Sequence, residues 1–117
     1  MQLFVTAHQM LIEPPLRQLI ERRLRFATDR FAQQIREITV HLRDTNAWTG
    51  GPDKLCTVLA KFHDGDQIRV AQTEDSVMAA ISGAARRLHQ SLSRRIGRRT
   101  ENLGAAVPGG VTEYWIG

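Results

Sequence analysis

Between Ser76 and Thr100 the chain carries six arginines and no acidic residue: Arg86, Arg87, Arg94, Arg95, Arg98 and Arg99. Of the 16 lysines and arginines in the sequence, only Lys54 and Lys61 are lysine. The bias toward arginine has a chemical meaning. A guanidinium is always charged and presents a planar fork of N–H donors that fits a phosphate bidentately, whereas an ammonium acts as a point charge. On a helix, Arg87, Arg94 and Arg98 fall within about 40° of one another, with Arg86 to one side and Arg95 nearer the apolar edge. At 1.5 Å rise per residue this row is roughly 16 Å long, enough to touch two or three backbone phosphates. Cations near a helix C-terminus also answer the macrodipole, at about 0.3–1 kcal/mol each. That accounts for Arg95, Arg98 and Arg99 but not for Arg86 and Arg87, more than two turns earlier. Like charges at i, i+4 cost about 0.2–0.5 kcal/mol per pair, a repulsion that a polyanionic partner relieves.

The remaining reactive side chains make no recognisable site. His8, His41, His63 and His89 lack the spacing of metal ligands, and Asp64 and Asp66 fall short of the 6–8 oxygens that calcium takes. Cys56 sits on the Val58, Ala60 and Phe62 side of a strand pattern, as a buried small hydrophobe would. No G-x-S-x-G, G-x-x-x-x-G-K-[ST] or G-x-G-x-x-G occurs, so acyl transfer, nucleotide hydrolysis and dinucleotide chemistry lack their signatures. The expectation is a protein that is not an enzyme, with no catalytic residue, no metal, no cofactor and no small-molecule substrate.

Composition sets the frame for these residues. A chain of 117 residues with 42% hydrophobic and 24% charged residues is long enough for one self-folding domain. Its formal charge of +4 points to an anionic partner. A single cysteine excludes an internal disulfide, and neither a signal peptide nor an 18-residue apolar run is present. A cytoplasmic protein without membrane contact is expected.

The elements that must position the arginines are readable in order. Residues 2–8, QLFVTAH, alternate Leu3, Val5 and Ala7 against Phe4 and Thr6 and suit a strand. Pro14 and Pro15 then mark a helix start, because the missing proline N–H costs nothing in a first turn. From about Leu16 to Gln34, Leu16, Leu19, Ile20, Leu24, Ala27 and Phe31 trace one apolar stripe, with Arg22, Arg23 and Arg30 along one flank beside Phe26, and Arg25 outward. REITVHLR at 36–43 alternates strictly, with Ile38, Val40 and Leu42 inward. DTNAWTGGPDK is a loop, and LCTVLAKF, HDGD and QIRVAQT read as strand, tight turn and strand. Thr73 is placed as the N-cap of a second helix, with Glu74 and Asp75 in its first turn. Its stripe is Val77, Ile81, Ala84, Ala85, Leu88, Leu92 and Ile96.

The pattern predicts an α+β fold: a two-layer β-α-β-β-β-α sandwich with a four-stranded sheet and both helices packed on one face. Strands one and two, joined through a helix, should be parallel with a right-handed crossover, and the later strands antiparallel. Residues 1–99 form the domain, and 100–117 are expected to be a flexible tail. With the helices side by side, their outer flanks merge into one basic surface. The strands lack the aromatic signature by which a sheet stacks single-stranded bases, so binding through helix flanks to the phosphates and shape of folded RNA is favoured. The alternative is a protein-interaction module using the wet sheet face or the apolar VTEYWIG end.

The residues MQLFVTAH, EPPLRQLIERRLRF, DTNAWTGGPDKLC and EDSVMAAISGAARRLHQSLSRR, in this order and spacing, resemble the ribosome hibernation promoting factor family, also called ribosome-associated inhibitor A or protein Y, over about residues 1–99. The resemblance implies a factor that sits in the mRNA and tRNA channel of the small ribosomal subunit and silences translation under stress or in stationary phase. Its partner would be ribosomal RNA. The family's basic positions fall on Arg22, Arg23 and Arg25 in helix one and on Arg86, Arg87, Arg94 and Arg95 in helix two. Together with Arg30 and Arg98 from charge placement, these make the candidate RNA-binding set. Met78 and Ser82 depart from the Tyr and Asp usual in the family. Long family members carry a second, ribosome-pairing domain; the resemblance covers about residues 1–99, so it does not imply that this chain pairs ribosomes by itself.

Overall fold

The computed structural model describes residues 1–45 and 51–105, with side chains up to Gly97. Four strands, β1 (Gln2–His8), β2 (Ile35–Asp44), β3 (Lys54–Phe62) and β4 (Gln67–Glu74), form one sheet in the order β1-β2-β3-β4. Helix α1 (Pro14–Thr28) and a short 3₁₀ turn (Asp29–Phe31) join β1 to β2, and α2 (Val77–Ala105) follows β4. β1 runs parallel to β2, and the other pairs are antiparallel, as the sequence predicted. The α+β two-layer arrangement is the one expected.

Alternation becomes burial through the register. Val5 pairs with Val40, Val40 with Val58 and Val58 with Val70, a row of β-branched side chains pointing to one face. Ile38, Leu42, Cys56, Ala60, Phe62 and Ile68 join them in the core. Ile20 and Leu24 of α1 and Ala80, Ile81, Ala84, Leu88 and Leu92 of α2 close that face from above, and the helices pack side by side. Each fully buried Leu, Ile or Phe contributes about 1.5–3 kcal/mol of transfer free energy. The opposite face is the wet one, with Phe4, Thr6, Arg43 and Arg69 exposed.

Local chemistry sets the boundaries. Pro14 and Pro15 occupy the first turn of α1 as predicted, and Arg17 N–H donates to Glu13 O at 3.0 Å. α1 stops six residues short of the expected Gln34. Thr28 Oγ1 donates back to Leu24 O at 2.8 Å, and the 3₁₀ turn then carries Phe31 and Ile35 into the core at a tighter pitch. The β3–β4 turn holds Gly65 at φ +94°, with Asp66 N–H donating to Asp64 Oδ1 at 2.9 Å. The expected cap at Thr73 is not the cap. Thr73 and Glu74 remain in the ladder, opposite Leu55 and Lys54, and Ser76 Oγ instead accepts from Ala79 N–H at 3.1 Å.

α2 also runs past the expected boundary at Arg99, to Ala105. Thr100 to Leu103 contain no proline or glycine to stop it. The rest of the expected tail, Tyr114 and Trp115 included, and the centre of the 44–54 loop lie outside the described residues. That loop is closed at its base. Thr45 N–H donates to Asp53 O at 2.8 Å, and Lys54 Nζ lies 3.1 Å from Asp44 and 3.0 Å from Asp53. The two carboxylates hold the Lys54 pKa above its ordinary value, Asp53 first.

Candidate nucleic-acid interface

Along α1 and the 3₁₀ turn that follows it, the side chains divide by angle. Ile20, Leu24 and Thr28 point inward at i, i+4, i+8. Arg22, Arg23, Arg25 and Arg30 are all exposed, and among them stands Phe26, 82% exposed. Leu19, expected in the buried stripe, is 40% exposed. Its position lies one residue off the inward line, on the side that turns toward Phe26.

Among the described residues, three shallow clefts meet at Phe26. One of about 190 Å³ lies between the helices, lined by Arg23, Ala27, Ala85, Arg86 and His89. A second, about 430 Å³, opens past Arg25, Asp29 and Arg30, and a third, about 410 Å³, runs to Leu19, Arg22 and Met78. The floor is narrow because Ala27 and Ala85 are small enough for the helices to approach. His89 fixes that approach. Its Nδ1 lies 3.0 Å from Ala27 O, near the end of α1 where carbonyls lack helical partners. A carbonyl can only accept, so the proton is on Nδ1. The His89 ring also lies 5.8 Å from that of Phe31.

Arg22, Arg23, Arg25, Arg30 and Arg86 therefore come together around one groove, with Asp29 the acid among its lining residues. Arg87 and Arg94 are exposed but belong to the other flank of α2, seven residues apart and so on one side. Arg87 Nη1 donates to Ala71 O of β4 at 2.7 Å and to Gln72 Oε1 at 3.4 Å. The merged surface expected from the helix flanks is thus two basic zones, a groove and a ridge. The side chain of Arg98 lies outside the described residues.

Arg95 departs from the set. It is 2% exposed, its guanidinium 3.8 Å above the Phe62 ring, with Nη2 2.9 Å from Asp64 Oδ2 and 3.3 Å from Asp66 Oδ2. It stands seven residues after Leu88 and three after Leu92, on the core stripe, where its long stem packs and its charge meets the turn's acids. Its place at the apolar edge of the helical wheel was the signal; the pairing with Asp64 and Asp66 was not visible, because it joins positions about thirty apart.

No three His, Cys, Asp or Glu side chains form a metal-holding group among the described residues. Cys56 is fully buried, and burial pushes its thiol pKa up to about 12. No helix among the described residues is long and apolar enough to cross a membrane.

Residues 3–100 match the family model described as Sigma 54 modulation protein / S30EA ribosomal protein. No curated protein matches the chain. A solved ribosomal subunit interface protein from Coxiella burnetii is similar with a TM-score of 0.68 and 20% identity, over 83% of this chain and 99% of that one. The N-terminal domain of Thermus thermophilus protein Y is similar with a TM-score of 0.65 and 20% identity, over 78% of this chain and 93% of that one. At such identities the two structures speak to the fold, and they share this one. The family match spans the sheet, both helices and the groove between them: the chain belongs to the Sigma 54 modulation protein / S30EA ribosomal protein family.

Proposed function

We propose that the protein is a non-enzymatic ribosome-binding factor. It occupies the mRNA and tRNA channel of the small subunit through contacts to ribosomal RNA phosphates and inhibits translation during stress or stationary phase. The observation that carries this reading is the groove of Arg22, Arg23, Arg25, Arg30 and Arg86, which a family of ribosomal proteins makes intelligible. Five guanidiniums at one opening concentrate a positive field that water and salt only partly screen. Phosphate oxygens supply both the opposite charge and the acceptors. The Coxiella burnetii relative is named for the ribosomal subunit interface, and the channel lies at such an interface.

Sedimentation of the purified protein with isolated subunits through a sucrose gradient tests the reading. Comigration with the small subunit at low salt is expected, and absence from that fraction overturns it. Replacing Arg23 and Arg86 together with alanine should lower the slope of log K against log salt by roughly 2, about 1 for each lost phosphate contact. Arg87→Ala and Arg94→Ala test the ridge in the same way.

A further inference from the structure

We infer that Phe26 is a stacking platform for an unpaired base of folded RNA, seated where the three clefts of the helix pair meet. The inference rests on the RNA-binding reading above and adds to it a contact that is not electrostatic. An 82% exposed phenylalanine is the largest apolar group that α1 leaves in water, and no core role explains it. Its surroundings choose the occupant. Among the described residues, Arg22, Arg23, Arg25, Arg30 and Arg86 line the clefts that meet at the ring, and Asp29 is the acid among them. Like charges gathered at one opening call for a polyanion, and a nucleotide brings a flat π-face for the ring and a phosphate on either side for the arginines.

The geometry fits an unpaired base and not a duplex. Bases within an A-form helix are stacked on one another and offer no free face, while those in loops and bulges are splayed out and stack on aromatic side chains. Ala27 and Ala85 keep the cleft beside the ring low, and the His89 bond to Ala27 O holds the helices at the spacing that leaves it open.

The test compares the full-length protein with Phe26→Ala, Phe26→Leu and Phe26→Trp on two probes. One is an RNA hairpin with 2-aminopurine in its loop, and the other a fully paired RNA duplex of equal charge. Phe26→Ala is expected to weaken hairpin binding by ~5- to 150-fold, the factor equivalent to ~1–3 kcal/mol of base–aromatic stacking, and to leave duplex binding unchanged. Phe26→Trp retains hairpin affinity and Phe26→Leu does not. The salt slope stays constant across the series because no phosphate contact is lost. Wild-type protein quenches the 2-aminopurine, and Phe26→Ala does not.

Hairpin affinity unchanged in Phe26→Ala overturns the inference while leaving the RNA-binding reading intact. Wild-type protein that binds neither probe at low salt overturns both. If Phe26→Ala weakens association with the small subunit but binds both RNA probes as wild type does, the ring meets a protein surface and the inference is overturned in favour of that partner. Because Phe26 is exposed, none of these variants removes core packing, and circular dichroism of each is expected to match that of wild type.

Discussion

Arg95 and Phe26 exchange the roles that their residue types suggest, the cation inside and the aromatic ring outside. Arg95 caps the open end of the core by lying over Phe62 and reaching the acids of the β3–β4 turn. A desolvated cation–π contact is worth about 2 kcal/mol, and truncation also removes the buried stem. Arg95→Ala should therefore lower stability by about 2–4 kcal/mol in urea unfolding, and Arg95→Met, which keeps the stem, by less than half as much. Neither should change the salt slope of ribosome binding if folded protein is compared, because the guanidinium does not reach solvent. Cys56 gives a second test at this scale. Its folded pKa of about 12 lies above the ordinary thiol value of 9.0, so the unfolded chain loses the thiol proton first as pH rises. The stability from this group is whole below about pH 9 and falls through the window up to about 12, by about 1.4 kcal/mol per pH unit. Wild type should therefore lose stability relative to Cys56→Ala across that window, and native Cys56 should resist thiol reagents near neutral pH until the protein unfolds.

Among the elements, α2 meets β4 at Gly83, where a Cβ would lie 2.6 Å from Gln72 Cγ and 2.9 Å from its Cδ. Gln72 is not free to step aside: it accepts from Arg87 and donates to Glu74. In an open helix Gly→Ala gains about 1 kcal/mol, but overpacking costs about 1–3 kcal/mol. The clash should win. Gly83→Ala is expected to lower the thermal midpoint and to displace Arg87 from Ala71, which amide exchange along β4 would report. The elements themselves were legible because period-2 alternation in 36–43 and 67–73 and three-to-four spacing in Ile20, Leu24, Ile81, Leu88 and Leu92 survive as burial. What was not legible were ends decided by tertiary competition. Thr73 has the chemistry of a cap, but ladder pairing with Leu55 outweighed it and passed the role to Ser76. The arginines on exposed flanks were readable one helix at a time; their division into groove and ridge depended on how the helices lean together, which no single helical wheel contains.

For the whole molecule, a formal charge of +4 understates what a partner meets, because the sign is distributed by face. The groove carries five arginines, while the sheet's outer face mixes Arg43 and Arg69 with Glu37, Thr39 and His41. Arg69→Ala and Arg86→Ala remove the same net charge. Only Arg86→Ala should reduce the salt slope of binding, by roughly 1, whereas a response to net charge alone would make the two variants equal.

The hydrogen bond from Arg87 to Ala71 has a counterpart across the sheet, where Arg17 Nη2 donates to Val5 O at 3.2 Å. Ala71 lies on β4 and Val5 on β1, the two strands that among the described residues have a neighbour on one side only. A bare outer strand is a template for strand addition between molecules, and natural sheets blunt it with charge. Here a guanidinium already holds one carbonyl on each rim. An incoming strand must displace it, at a net of about 0.5–1.5 kcal/mol per bond, and must then seat its backbone beside a positive charge. The same residue type that lines the groove between the helices thus also opposes strand addition at both rims.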